Sequence, residues 1–225
     1  NAVYDIKKID KPELIKKYKS TDQDLELANS LCKDKGIIMV GTVIDSHPQA
    51  SILRRLLRHM SEISGCDIGY LPNGANASGA MRVGFVPHAA SSQGLNFKQM
   101  LDNPRKLYVL HNIEAEYDCN YRNDIYEILK KSFVISINRY RSDALLKYSD
   151  IILPNCSFAE MAGSYTNLMG ETQVFKGALP AVGDSKPTWK IIVALARIMQ
   201  MEGFQYKHSE AVLNEINALD PREQN

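Results

Sequence analysis

Residues 36–71 read GIIMVGTVIDSHPQASILRRLLRHMSEISGCDIGYL, and this segment is the most informative about the fold class. It begins with Ile37–Val43, a continuously apolar and largely β-branched run that predicts a strand buried on both faces. Pro48–Ser64 follows, with apolar residues at helical spacing and arginines on the other side, which predicts an amphipathic helix. Asp67–Leu71 predicts a second short strand. Because a helix joins the two strands, we expect them to lie parallel.

The same alternation of strand and helix continues along the chain. Three further strands are predicted at Lys106–Leu110, Phe133–Ile137 and Ile151–Leu153, with helices predicted at Asp124–Lys131 and Ser142–Tyr148 between them. The sequence therefore predicts the α/β class, with a doubly wound, mainly parallel sheet of about five strands and helices on both faces.

The flanking regions differ from this alternating part. Residues 1–35 form a lysine-rich lead-in and a first helix at Asp22–Lys33, residues 36–221 form the α/β domain, and residues 222–225 form a tail. Within the domain, residues 155–183 are rich in Gly, Thr, Asn and Pro, which predicts loop and short extended pieces. Two helices follow, from Pro187 to about Met201 and at Glu210–Leu219, and we expect Trp189 to pack against the sheet.

Composition excludes several classes of protein. The chain has 225 residues, of which 44% are hydrophobic and 24% charged, as in ordinary globular proteins. Its net charge of +1 lacks the basic excess of nucleic-acid-binding proteins, so we expect no nucleic-acid partner. No apolar run approaches the roughly 18 residues of a membrane-spanning helix, so we expect no direct membrane insertion. The first residue is Asn1 and no secretory signal is visible, which favours a piece of a longer polypeptide.

The cysteines and histidines do not form a recognisable metal motif. The four cysteines lie more than thirty residues apart and include no CxxC pair, which favours structural cysteines in a reducing compartment. The five histidines lack helical ligand spacing, and no nucleophile or phosphate-binding signature occurs. We therefore predict no catalytic residue and no metal ligand in this chain.

An acidic run follows the Lys106–Leu110 strand and leaves two interpretations open. Glu114, Glu116 and Asp118 lie where ligands bind in open α/β sheets, beyond the carboxyl end of a strand. A solvated loop between strand and helix explains the same residues, and is the more common situation for acidic side chains.

The best local candidate for binding is the loop that follows the Asp67–Leu71 strand. It contains Asn73, Gly74, Asn76 and Gly79, and its small residues would let backbone N–H groups approach a phosphate. It is not a GxGxxG fingerprint, and a tight turn with close helix packing explains the same residues.

Two stretches resemble the molybdopterin-dependent oxidoreductase superfamily. The first is Leu71–Ala80, which is similar to the family's NxxG segment after a strand. The second is EMAGSYTNLMG at residues 160–170, after the Leu153-Pro154 strand end, which is similar to the family's E-x-x-G-(T/S)-(Y/F)-x-N-x-E-G-R element. Together with Ala178–Pro180, the Trp189 helix and the ending near Pro221, they resemble the molybdopterin-oxidoreductase-like, Rossmann-type domain of the complex I large iron–sulfur subunit.

One departure from the family element concerns charge. The family's Glu-Gly-Arg corresponds to Met169-Gly170-Glu171 here, so a negative side chain stands where an arginine could anchor an anionic group. The resemblance therefore implies a domain that no longer holds a pterin, and the loop residues Asn73, Gly74, Asn76 and Gly79 become vestigial site candidates.

The resemblance implies a function for the parent protein. That protein would take part in electron transfer from NADH to quinone, with iron–sulfur clusters in its N-terminal part and no cofactor in this segment. The segment would be a peripheral scaffold in contact with other peripheral-arm subunits of complex I, at the cytoplasmic face of the bacterial inner membrane or the matrix face of the mitochondrial one. Two alternatives remain: a domain of a working enzyme of formate dehydrogenase or nitrate reductase type, and a stand-alone nucleotide-binding or transferase-like protein.

Overall fold

The structure is a computed structural model, and it describes residues 2–8, 10–33, 36–86, 94–119 and 123–218. The chain divides into two compact units, Asn1–Gly74 and Ala75–Asn225. The predicted limits of the α/β domain fall at residues 35 and 221, which lie outside the described residues. The division into residues 1–35, 36–221 and 222–225 therefore stays a prediction.

The first unit contains helices and one pair of parallel strands. Its elements are α1 (Ala2–Lys7), α2 (Glu13–Lys16), α3 (Asp22–Lys33), β1 (Ile37–Val40), α4 (Ala50–Ser64) and β2 (Asp67–Tyr70). Ile37 lies opposite Asp67 in the parallel ladder, and Val40 lies opposite Tyr70. The stretch from residue 36 to residue 71 is therefore the predicted strand–helix–strand unit.

Strand β1 is shorter and more exposed than its composition predicts. It ends at Val40, because a turn begins at Gly41, whose carbonyl accepts a hydrogen bond from Ile44 N at 3.3 Å. Ile37 is 61% exposed and Met39 is 55% exposed, so the prediction of a strand buried on both faces was wrong. An apolar run shows what a strand could bury, whereas its exposure depends on which elements pack against it.

The second unit contains the remaining elements. They are α5 (Ala77–Arg82), α6 (Phe97–Asp102), β3 (Leu107–His111), α7 (Ala115–Asp118), α8 (Ile125–Lys130), β4 (Phe133–Asn138), β5 (Ile151–Pro154), β6 (Gly163–Thr166), β7 (Thr172–Phe175), α9 (Thr188–Ile198) and α10 (Ser209–Ala218). Between β4 and β5, the helix predicted at Ser142–Tyr148 is a single 3₁₀ turn at Leu145–Lys147.

Strands β3, β4 and β5 form a parallel sheet with β4 in the middle. Leu107 lies opposite Phe133, and Ile135 lies opposite Ile151. Because all three strands run the same way, their carboxyl ends lie at one edge of the sheet.

One face of this sheet carries the main core of the second unit. Along β3, Tyr108 and Leu110 are buried, whereas Leu107 and Val109 on the other face are 44% and 50% exposed. The buried residues of this core come from the sheet and from the helices packed on it: Leu101, Tyr108, Leu110, Ala115, Cys119, Ile125, Leu129, Val134, Leu145 and Tyr148. Full burial of a Leu or Val side chain contributes about 1.5–3 kcal/mol, so this cluster is a major source of stability in the unit.

The predicted fold class is confirmed, because parallel strands alternate with helices in a mixed α/β structure. The five predicted strands are all present within a few residues of their predicted bounds. Their hydrogen bonds join them as a pair in the first unit and as a triplet in the second. Local alternation predicts parallel pairing, but the choice of neighbours depends on contacts distant in sequence.

Residues 155–183, predicted as loop and short extended pieces, contain two short strands that pair as a hairpin. Strands β6 and β7 pair antiparallel, with Thr166 opposite Thr172 next to the turn. Each strand has only four residues, the shortest length at which alternation indicates a strand.

The two C-terminal helices and this hairpin line a small cavity. Trp189, in the first turn of α9, is partly buried and lines a cavity of about 210 Å³ together with Val174 of β7 and Leu213 and Ile216 of α10. Trp189 therefore faces a cavity shared with the hairpin and α10, whereas the sequence predicted that it packs against the sheet. In the described part of the chain, none of the helices has the length and apolar character needed to span a membrane.

Candidate functional site

The carboxyl edge of the three-stranded sheet carries a group of polar side chains. His111 is the last residue of β3, Asn112 follows it, Asn155 follows β5, and Thr188 is the first residue of α9. In open α/β sheets this edge is where ligands bind, because the loops leave the strands there. We call these four residues the edge network.

Hydrogen bonds connect the four side chains of the edge network. His111 Nε2 lies 3.0 Å from Thr188 Oγ1 and 3.2 Å from Asn112 Nδ2. Thr188 Oγ1 donates to Asn155 Oδ1 at 2.7 Å, and Asn155 Nδ2 donates to Asn112 Oδ1 at 3.3 Å. The network therefore joins two strand ends and the start of α9 through uncharged groups.

Asn112 has a backbone conformation that is unusual for a residue with a side chain. Its φ is 50°, in the left-handed region, which Asn tolerates better than most residues. Its N–H donates to the carbonyl of Ile137 at 2.9 Å, so β4 holds the residue in place. Backbone strain of this kind is concentrated at functional sites, which makes this edge a candidate for ligand binding.

The charge state of His111 follows from its surroundings. Partial burial lowers the pKa of its imidazole, and the Arg139 guanidinium, which follows β4, lowers the pKa further. The ring is therefore neutral near pH 7 and offers hydrogen bonds without a charge. An edge of amide, hydroxyl and neutral imidazole suits a polar uncharged group.

The sequence analysis missed the edge network, although part of a signal for it was present. Asn112, Asn138 and Asn155 each lie within two residues of the end of a predicted strand. A polar residue at the ends of three successive parallel strands indicates one shared edge. Thr188 has no such local signal, because its position there depends on how α9 packs.

The loop that the sequence analysis singled out is divided between the two units. Asn73 and Gly74 close the first unit, where Gly74 has a φ of 104° that favours glycine in the turn. Asn76 and Gly79 belong to the second unit, at the start of α5 and within it. The structure therefore relates only Asn76 and Gly79 to one another.

Asn76 bonds to the hairpin and not to its own helix. Its side chain makes no capping hydrogen bond to α5, and Oδ1 accepts a hydrogen bond from Thr166 N of β6 at 2.8 Å. Gly79 makes room for this contact, because a Cβ there would lie 2.2 Å from Asn76 Oδ1. The loop residues are thus used within the protein.

The two stretches that carry the family resemblance meet at this point. Besides the Asn76–Thr166 bond, Arg82 Nη1 donates to Thr172 Oγ1 at 2.9 Å, and the hydroxyls of Thr166 and Thr172 are 2.9 Å apart. Helix α5 therefore contacts both hairpin residues that flank the turn.

The turn between β6 and β7 is closed by its own polar groups. Asn167 Oδ1 accepts hydrogen bonds from Met169 N at 2.9 Å and Glu171 N at 3.0 Å. Asn167 Nδ2 donates to Glu171 Oε2 at 3.1 Å. By the resemblance to the family element, Glu171 stands at the position of an arginine, and the turn presents a carboxylate there.

The acidic run after β3 takes part in local structure. Glu114 N donates to Asp118 Oδ2 at 2.8 Å within the α7 turn, and Ser142 Oγ donates to Glu116 Oε1 at 3.0 Å. These bonds agree with the simpler interpretation of the run as a strand-to-helix loop. Burial, aided by the charge of Glu116, raises the pKa of nearby Tyr148 to about 12.

No grouping of three or more potential metal-ligating side chains is found among the described residues. Cys66, Cys119 and Cys156 are buried as free thiols, and Cys32 is partly buried. Burial, followed by the charges of Asp118 and Glu116, raises the pKa of the Cys119 thiol, which opposes formation of a thiolate. His88 lies outside the described residues.

Comparison with known proteins identifies the relatives of the chain. A family model described as molybdopterin oxidoreductase matches residues 3–198. Two Staphylococcus aureus proteins, both provisionally named formate dehydrogenases, are similar over shorter stretches: that of strain MRSA252 is 38% identical over 74 residues, and that of strain USA300 is 36% identical over 74 residues. Each alignment covers 33% of this chain and 7% of the relative. The aligned part is thus a small fraction of those longer proteins.

Proposed function

This chain belongs to the molybdopterin oxidoreductase family, and on that premise we propose that it is a scaffold domain of the large iron–sulfur subunit of respiratory complex I. In this proposal the parent complex transfers electrons from NADH to quinone. The iron–sulfur clusters lie in another part of the subunit, and this segment contributes shape and contact surface.

The proposal rests mainly on the negative charge of Glu171 at the turn between β6 and β7. A pterin dinucleotide is anionic, and proteins hold its phosphates with backbone N–H groups and with Arg or Lys side chains. Here the turn presents a carboxylate, and the Glu171 N–H is already bonded to Asn167. An anion at this turn would meet repulsion from Glu171.

The loop before α5 also fits an anionic cofactor poorly. Asn76 Oδ1 is engaged by Thr166, and the space above Gly79 is filled by the Asn76 side chain. The edge network is uncharged and its groups bond to one another. The residues present in these places therefore do not fit the phosphate-bearing group that the family name implies.

The proposal also assigns partners and a location. Other peripheral-arm subunits of complex I would cover this domain, on the cytoplasmic face of a bacterial inner membrane or the matrix face of the mitochondrial one. The exposed Leu107 and Val109 of β3 offer apolar surface for such contacts.

Metal analysis and absorption spectroscopy of the purified chain test this proposal. We expect neither iron nor molybdenum near one equivalent, no visible charge-transfer band, and no NADH oxidation. A tagged chain expressed in its own host should also co-purify with NADH-oxidising subunits. Stoichiometric metal, or a visible band, would contradict the scaffold role.

A second candidate is a domain of a working formate dehydrogenase. The provisional names of the two Staphylococcus aureus relatives favour it. It predicts a bound pterin guanine dinucleotide with molybdenum, and formate oxidation by the full-length protein. Mass spectrometry of the nucleotide released from full-length protein would separate the two candidates, because the scaffold proposal predicts none.

A further inference from the structure

We propose that Asn76, Gly79 and Arg82 form, together with Thr166 and Thr172, a clamp that holds the β6–β7 hairpin in a fixed, ligand-independent position. We call these five residues the hairpin clamp. The loop before α5 has small residues suited to binding a phosphate. In this proposal its polar atoms instead form hydrogen bonds to the hairpin.

The hairpin clamp forms hydrogen bonds to both strands of the hairpin, next to the turn. Asn76 Oδ1 accepts from the backbone N–H of Thr166, the last residue of β6, and Arg82 donates to the hydroxyl of Thr172, the first residue of β7. Thr166 is 6% exposed, so its N–H would lose free energy if it were buried without a partner. The Asn76 side chain therefore supplies an acceptor that the hairpin needs.

Gly79 is the steric part of the clamp. The Asn76 amide lies where a side chain at position 79 would be, with distances of 2.2 Å to Oδ1 and 2.9 Å to Cγ from an added Cβ. Any larger residue would displace the amide from Thr166. The absence of a side chain at Gly79 thus allows the Asn76 amide, and not a ligand, to approach the helix closely.

The hairpin clamp holds both ends of the turn between β6 and β7. Thr166 and Thr172 enclose residues 167–171, where Asn167 and Glu171 bond to each other. Since both ends of the turn are held from α5, the position of the Glu171 carboxylate is set without any bound group. This inference concerns the chain's own contacts and holds for either parent protein proposed above.

Hydrogen exchange of the Thr166 amide in the full chain tests the clamp. Asn76→Ala removes the acceptor, and we expect the Thr166 amide to exchange about three- to tenfold faster, the range that corresponds to a typical net hydrogen bond. Asn76→Asp keeps an acceptor oxygen and should restore most of the protection. Asn73→Ala is the matched control, because it changes the same residue type in the first unit.

Gly79→Ala provides a second route to the same result. The added methyl should displace the Asn76 amide and speed exchange at Thr166, whereas Gly41→Ala should not, because nothing lies within 4 Å of a Cβ at position 41. Unchanged Thr166 exchange in both Asn76→Ala and Gly79→Ala would overturn the clamp.

Titration with inorganic pyrophosphate tests whether the clamp is independent of ligands. For the wild-type chain we expect no saturable change in the amide signals of residues 76–82 and 163–175. Saturable shifts there, together with a change in Thr166 exchange, would show that an anion competes with the clamp and would overturn it.

Discussion

At the residue scale, His111 is the group whose ionisation matters most to the edge network. Its ring contacts Thr188 and Asn112, and both contacts use Nε2. A second proton would make both ring nitrogens donors, so the ring could accept no hydrogen bond. It would also place a positive charge beside Arg139 and near the positive end of α9.

The stability of the protein should therefore fall as the pH is lowered below about 6.5. Burial and Arg139 lower the pKa of His111 in the folded state, whereas in the unfolded chain it stays near 6.5. As the pH falls from 6.5 towards the lowered pKa, the unfolded state binds more protons, and the free energy of unfolding declines. Urea unfolding from pH 7.5 to 5 measures this decline, which His111→Gln should reduce.

Arg139→Gln is an informative companion variant. It removes the second cause of the low pKa and leaves the burial of the ring, so the pKa of His111 should rise only part of the way to its usual value. Titration of the His111 ring by NMR gives that pKa directly. A pKa at or above 6.5 in the wild-type chain would contradict the proposed neutral network.

At the element scale, the stability of a short helix depends on the hydrogen bonds at its ends. Helix α6 has only six residues, too few to be stable from internal hydrogen bonds alone. Asn96 Oδ1 accepts from Gln99 N, and Gln99 Oε1 accepts from Asn96 N, both at 2.9 Å. This capping box satisfies two N–H groups at the helix start and positions Leu101 in the core.

Asn96→Ala should lower the free energy of unfolding by about 0.5–2 kcal/mol, the usual effect of losing such a cap. Asn103→Ala, at the other end of α6, is the matched control, because no side-chain hydrogen bond of Asn103 occurs among the described residues. Chemical denaturation of the two variants gives the comparison. Equal losses of stability would show that the cap does not contribute specifically.

At the scale of the whole molecule, the two units differ in the size of their cores. The first unit buries Ala2, Val3 and Ala28 in its cluster, all of them small or medium side chains. The second unit buries the much larger set on the face of the three-stranded sheet. Because apolar burial is the main favourable contribution to folding, the second unit should be the more stable one.

We expect hydrogen exchange under native conditions to show this difference. Amides of β1 and β2 should exchange through a lower-energy opening than amides of β3 and β4, because separate cooperative units can open at different free energies. Leu145→Ala, in the core of the second unit, should cost about 2–5 kcal/mol and affect mainly the second set. A single opening energy for all four strands would contradict two units of unequal stability.

The local elements of this protein could be predicted from the order of its residues. Largely apolar runs of three to seven residues predicted five strands, and 3.6-residue periodicity predicted α3, α4 and α9. These signals are local, because each element's own side chains decide whether it can form a strand or a helix. The pairing of the two short extended pieces as a hairpin was not predicted, because each strand has only four residues and gives a weak periodic signal.

Which of these elements contact one another is visible in the folded chain alone. The tertiary structure paired the strands as two and three, exposed one face of β1, and joined His111 to Thr188 across 77 positions of sequence. It also joined Asn76 to Thr166 of β6 across 90 positions, with Gly79 leaving room for the Asn76 side chain. Such contacts arise from packing between distant segments, whose energies depend on shape and burial in three dimensions and leave no periodic trace along the chain.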